Sequence, residues 1–178
     1  TMTIMAAGAI PASNNAKADV VLVNAANQPT AWISLKKGNE AREFGQWGGV
    51  TYIKNHDELT NFVNTVKAAY PTGMPPETCV KRPIRDTQLK LIGCFGKDFG
   101  SNKFGPNNVN LILQGSPTLE RFQDGYILKG SVQWVNGQMP TGTYEPVFVA
   151  RFSYDRSNFG VKNARFSIYP SVRSCSPI

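Results

Sequence analysis

The sequence predicts a mainly β protein, an antiparallel sandwich or jelly-roll-like fold with one amphipathic helix at about residues 57–70. Three observations carry this expectation. Short apolar runs with period-two alternation recur along the chain, separated by Gly, Pro and Asn clusters. Charged residues make up only 17% of the chain, a low share for a protein built from long solvated helices. One stretch alone has the spacing of a helix face.

Taken in order, Asp19 to Val23 is a short apolar run, Asn24 to Thr30 is a Pro-containing loop, and Ala31 to Lys37 alternates, with Trp32 facing away from Ile33 and Leu35. The two runs predict a hairpin. Val50 to Ile53 reads as a short strand. From Asp57 to Tyr70 the residues Leu59, Phe62, Val63, Val66, Ala69 and Tyr70 form one helical stripe. Asn55 or Asp57 can cap its start, Glu58 suits the positive end of the dipole, and Pro71 ends it. Pro71 to Pro83 reads as an ordered loop. Gln88 to Phe95 and Asn108 to Gln114 then resume the β pattern, with Val109, Leu111 and Leu113 on one face.

The clearest strands come last. Tyr126, Leu128, Val132 and Trp134 share one side of a strand that ends at the turn signal Asn136-Gly137. Tyr144 to Tyr154 is apolar on both faces, as a central strand covered from two sides must be. Val161 to Tyr169 returns after the Asp155 to Asn158 turn, with Ala164, Phe166 and Ile168 inward.

A chain of 178 residues fits a single β-rich domain, 1–178, able to bury roughly 70% of its unfolded surface. Aromatic content of 11% argues against disorder. No run approaches the ~20 apolar residues of a membrane helix, so no membrane insertion is expected. The formal charge of +7 lies wholly in residues 79–178, since residues 1–78 hold equal numbers of basic and acidic side chains. Such asymmetry implies a neutral section for packing or assembly and a basic section able to meet an anion.

The N-terminus imitates a secretory leader, with an apolar Ile4 to Ile10 run and a small-x-small Ala16-Lys17-Ala18. No Lys or Arg precedes that run, and Thr1 is a residue type left after removal of an initiator Met. The expected location is therefore a virion or the host cytoplasm, with an extracellular or cell-surface location as the alternative. Cys79 and Cys94 would close a loop worth roughly 3 kcal/mol if oxidised, leaving Cys175 unpaired. Three reduced, buried cysteines are the favoured reading.

The residues exclude more chemistry than they identify. His56 is the lone imidazole, and its neighbours place it at the helix entrance rather than in a triad. No nucleophile elbow, Walker loop, dinucleotide fingerprint or zinc spacing occurs. No catalytic residue, metal ligand or cofactor is assigned. Gly93 to Pro106 interleaves Phe95, Phe99 and Phe104 with Lys97 and Lys103, a combination able to stack bases and hold phosphates. A loop whose phenylalanines are pinned to the core explains the same residues and is favoured. Arg151, Arg156, Lys162 and Arg165 fall on two consecutive strands and their turn, where Arg151 and Arg165 would face each other unless an anion intervenes.

Residues 1–18, with Met2, Ile4, Met5 and Ile10 as anchors, read as an assembly arm lent to a neighbouring copy. These features predict a non-enzymatic structural subunit, coat- or capsid-like, self-assembling as a homo-oligomer, with a basic surface contacting nucleic acid through phosphates. Two alternatives stand beside it: an exported adhesin or pilus subunit using strand donation, and, ranked last, a carboxylate-based hydrolase of an anionic polymer.

Overall fold

The computed structural model describes residues 2–4, 6–123 and 125–178. The chain is mainly β, with mixed sheets and two α-helices. In chain order the first elements are β1 (Met2–Ile4), β2 (Gly8–Pro11), β3 (Val20–Val23), β4 (Pro29–Lys36) and β5 (Gly48–Gly49). Then come α1 (Asp57–Ala69), β6 (Cys79–Pro83), α2 (Thr87–Phe95), β7 (Leu111–Gln114), β8 (Thr118–Phe122) and β9 (Gly125–Lys129). The last are β10 (Val132–Val135), β11 (Pro146–Asn158), β12 (Val161–Pro170) and β13 (Ser176–Pro177). They fall into two compact units, Thr1–Gly45 with Phe95–Met139, and Gln46–Cys94 with Pro140–Ile178.

The first unit holds a five-stranded sheet, β10-β7-β4-β3-β2, and a three-stranded sheet, β1-β9-β8. The expected β3–β4 hairpin forms, with Val21 opposite Trp32. Its alternation places Leu22, Ile33, Leu111 and Leu113 in one buried cluster, joined by Leu128 of the smaller sheet. The sheet is not purely antiparallel, because β4 and β7 run parallel, Ile33 beside Leu111 through Lys36 beside Gln114. The single strand expected over Tyr126 to Trp134 is broken at Gly130, so β9 and β10 join different sheets. A Cβ at Gly130 would lie 3.2 Å from Gln114 O, so the chain crosses β7 closely there.

The residues expected to form an assembly arm fall in this unit. Met2 pairs with Leu128 and Ile4 with Tyr126, while Ile10 of β2 pairs with Val21. Each of these segments pairs on one side with a strand of its own chain and is the edge strand of its sheet. Met5 and Thr1 lie outside the described residues.

The second unit is a five-stranded sheet, β13-β6-β11-β12-β5, with both helices. β11 is central, as its two apolar faces predict, pairing with β12 and β6. α1 starts where expected, but His56 is the cap, its Nδ1 accepting the Glu58 N–H at 3.2 Å. Phe62 is fully buried, stacked on Phe148 at 5.6 Å and edge-on to Phe166 at 5.8 Å. The stripe fades at the exposed Ala69.

Three local expectations fail here. Val50 to Ile53 is mostly a 3-10 turn over Thr51–Ile53. The Pro71 to Pro83 loop contains β6. Gln88 to Phe95 is helix rather than strand, because Asp86 caps it through Oδ1 and the Leu89 N–H at 2.7 Å. Glu58 braces that cap from α1, accepting the Arg85 and Asp86 N–H groups at 2.9 and 2.7 Å. Gly93 lets α2 lie close to β12, where a Cβ would sit 2.8 Å from Ile168 Cδ1.

The cysteine reading is also corrected. Cys79 is bridged to Cys175, not to Cys94, and Cys94 is a buried cysteine on α2 outside the bridge. The partner 96 residues away is the near one because β13 runs parallel to β6, Ser176 beside Val80. Among the described residues no helix is long and apolar enough to cross a membrane.

Candidate active site

Asp19 stands one residue ahead of β3, where the β3–β4 hairpin opens. The last ladder pair at that end is Val20 with Ile33, and the Asp19 N–H still donates to Ile33 O at 2.8 Å. β4 then runs on through Ser34 to Lys36 without β3 beside it. The Asp19 side chain fills the gap, its Oδ2 accepting the Leu35 N–H at 2.6 Å. A carboxylate offers about four lone-pair sites, so one amide leaves capacity for a ligand.

The parallel pair β4 and β7 ends at the same place. In open α/β sheets ligands bind in the crevice outside the carboxyl ends of the parallel strands, and this one parallel pair has such an end. A pocket of about 550 Å³ lies at this point, lined by Asp19, Lys36, Lys37, Asn39, Gly115 and Ser116 among others. Gly115, with φ of 96°, makes the turn after β7, and its N–H donates to Lys36 O at 2.9 Å.

Buried groups of the same unit hold the pocket wall. Gln114, fully buried at the end of β7, donates from Nε2 to Lys37 O and to Glu40 O, both at 2.7 Å. Its own carbonyl accepts the Ser131 N–H at 2.8 Å and the Ser131 hydroxyl at 2.9 Å. Glu43 Oε2 accepts the Asn39 and Glu40 N–H groups at 2.9 and 3.2 Å. Those two amides, with a smaller pull from Arg42, hold the Glu43 carboxyl below its ordinary value of 4.5. Lys36 Nζ lies 5.5 Å from the centre of the Phe44 ring, which meets Trp134 edge-on at 5.7 Å. Replacing Gln114 by Leu removes both donors from partly buried carbonyls, and urea unfolding should show a loss of about 1–3 kcal/mol. An unchanged midpoint would show that water replaces the amide without cost.

The donors are oxygens with a single carboxylate. Among the described residues no three His, Cys, Asp or Glu side chains gather to hold a metal. That set does not fit zinc, which takes four nitrogen or sulfur ligands at a structural site. It fits Mg²⁺, which keeps several waters and takes one or two carboxylates together with substrate phosphates.

The residues expected to meet nucleic acid are scattered. Arg151 and Arg165 do face each other across β11 and β12, both half-buried. Arg156 and Lys162 are exposed near the far end of that strand pair, beyond a register shift after Phe152. All four belong to the second unit, whereas Lys97 and Lys103 are exposed on the loop after α2 in the first. His56 caps α1, with Nε2 4.0 Å from Asp86 Oδ2. None of these lines the Asp19 pocket. Sequence reasoning missed Asp19, Lys36 and Lys37, although a clue was present: a charged residue at each open end of two apolar runs, where packing alone asks for none.

The chain is 29% identical over 174 residues to the type II restriction enzyme CviJI of Paramecium bursaria Chlorella virus IL3A, a match covering 88% of this chain and 48% of that protein. It thus spans about half the length of the relative it matches. No family model and no solved structure matches. The relative is an enzyme, and this overturns the expectation of a non-enzymatic structural subunit, whether capsid-like or pilus-like.

Proposed function

We propose that this chain carries the catalytic part of an endonuclease that hydrolyses phosphodiester bonds in DNA. The observation that supports this reading best is the meeting of Asp19, Lys36 and Lys37 in one pocket at the carboxyl ends of β4 and β7. The restriction-enzyme relative supplies the substrate class. Among the readings of the residues alone, it is nearest to the one ranked last, a carboxylate-based hydrolase of an anionic polymer.

Asp19, with the oxygens of Asn39 and Ser116 nearby, would hold a divalent cation together with the phosphate. When bound, that ion supplies Lewis-acid stabilisation of the phosphoryl oxygens and a more acidic water. Leu35 N–H fixes the carboxylate from behind, so it need not reorganise when the substrate arrives. Lys36, steadied over Phe44, places an ammonium where negative charge builds on the non-bridging oxygens. Lys37 is exposed at the rim and serves a neighbouring phosphate.

The test is nicking of supercoiled plasmid by the purified chain with Mg²⁺, against the Lys36→Ala variant. The variant should lose on the order of 10²–10³-fold in rate. Nicking that needs no divalent ion, or that Lys36→Ala leaves untouched, overturns the reading.

A further inference from the structure

The loop after α2 presents an aromatic ring to solvent, and its Pro106 is bonded to the residue that precedes Asp19. Phe95 and Phe99 stack on each other at 5.9 Å, and Phe95 is fully buried. Phe104 does not follow them inward and is 54% exposed. Its loop is nevertheless held firmly. Asn108, 3% exposed, donates from Nδ2 to Lys103 O at 2.9 Å, and Gly105 and Asn108 exchange backbone hydrogen bonds at 3.1 and 3.2 Å. A further bond ties it to the chain just before β3: the Ala18 N–H donates to Pro106 O at 2.9 Å. Ala18 precedes Asp19, and Pro106 lies two residues after Phe104. Phe104 and Lys103 also line a pocket of about 440 Å³ with Phe99, Ser101, Asn108 and Asp98.

We infer that Phe104 stacks on a nucleotide base of the DNA strand engaged at the Asp19 pocket, while Lys103 meets a phosphate of the same strand. The inference rests on the endonuclease reading. A large exposed aromatic side chain costs apolar hydration, and a rigid loop presents it without the entropy of ordering on contact. Beside an ammonium it matches a base with its phosphate, a flat apolar face joined to an anion. Asp98 lies in the same pocket and sets the limit on charge there, so Lys103 contributes one phosphate contact rather than a cluster.

Binding to an oligonucleotide carrying 2-aminopurine tests this, with the full chain bearing Asp19→Asn so that cleavage does not interfere. Adding Phe104→Ala should weaken binding roughly 5- to 150-fold and restore the 2-aminopurine emission that stacking quenches, with Phe104→Trp retaining both. Lys103→Gln should lower the slope of log affinity against log salt by about 1. Equal affinity and equal emission for Phe104→Ala and its parent overturn the stacking inference alone. A parent that binds no DNA overturns the endonuclease reading with it.

Discussion

Asp19→Asn should abolish metal-dependent DNA nicking, lowering the rate on the order of 10²–10³-fold or more, while leaving the fold in place. The two effects separate because the carboxylate has two duties. Its structural duty is to accept the Leu35 N–H at 2.6 Å where the hairpin has opened. An Asn side-chain oxygen can accept the same bond, so the end of β4 keeps its partner. Its chemical duty needs full negative charge, which a neutral amide lacks, and with it goes the attraction for a hard cation. Asp19→Ala loses both duties, and should add a stability loss of about 1 kcal/mol, modest because the site is exposed to water. Plasmid nicking and urea unfolding on the same three proteins check this. Asp19→Asn retaining parental activity would sink the assignment of the pocket.

Cys175→Ser should destabilise the second unit by about 2–5 kcal/mol. The bridge closes a sequence separation of 96 residues, and in the chain-entropy account a loop that long restricts the unfolded ensemble strongly. The last residues are otherwise held by hydrogen bonds and a short strand pairing, among them the Ile178 N–H donating to Lys81 O at 3.1 Å. β13 offers two residues of parallel pairing to β6, helped by Lys81 Nζ donating to Ser171 O at 2.8 Å and Arg82 Nε donating to Ile178 O at 3.0 Å. Denaturant unfolding of the variant and of the reduced parent should give the same lowered midpoint. Alkylation in denaturant without reductant should label one thiol per chain in the parent, Cys94. Three labelled thiols, or an unchanged midpoint on reduction, would remove the bridge from the account.

The parts legible in the sequence are those whose signal is local. α1 was readable because Leu59, Phe62, Val63 and Val66 must share a face in any helix, and all four are buried. β11 was readable as central from its two apolar faces. α2 is not legible by periodicity, because Leu89 to Phe95 is apolar enough for either state and the Asp86 cap decides it. The basic residues of β11 and β12 cluster in sequence, yet the pocket gathers its lysines from the end of β4.

What the sequence determined by itself was the strand-rich class, the α1 stripe, the β3–β4 hairpin and the facing of Arg151 and Arg165, each set by periodicity over a few residues. The tertiary structure alone decided that β7 runs parallel to β4, that Cys79 finds Cys175, and that Asp19, Lys36, Gly115 and Ser116 share one pocket. Those are contacts between residues tens of positions apart. Alternation says which side of a strand faces inward, but not which strand will lie beside it, and the site is made where two such neighbours end together.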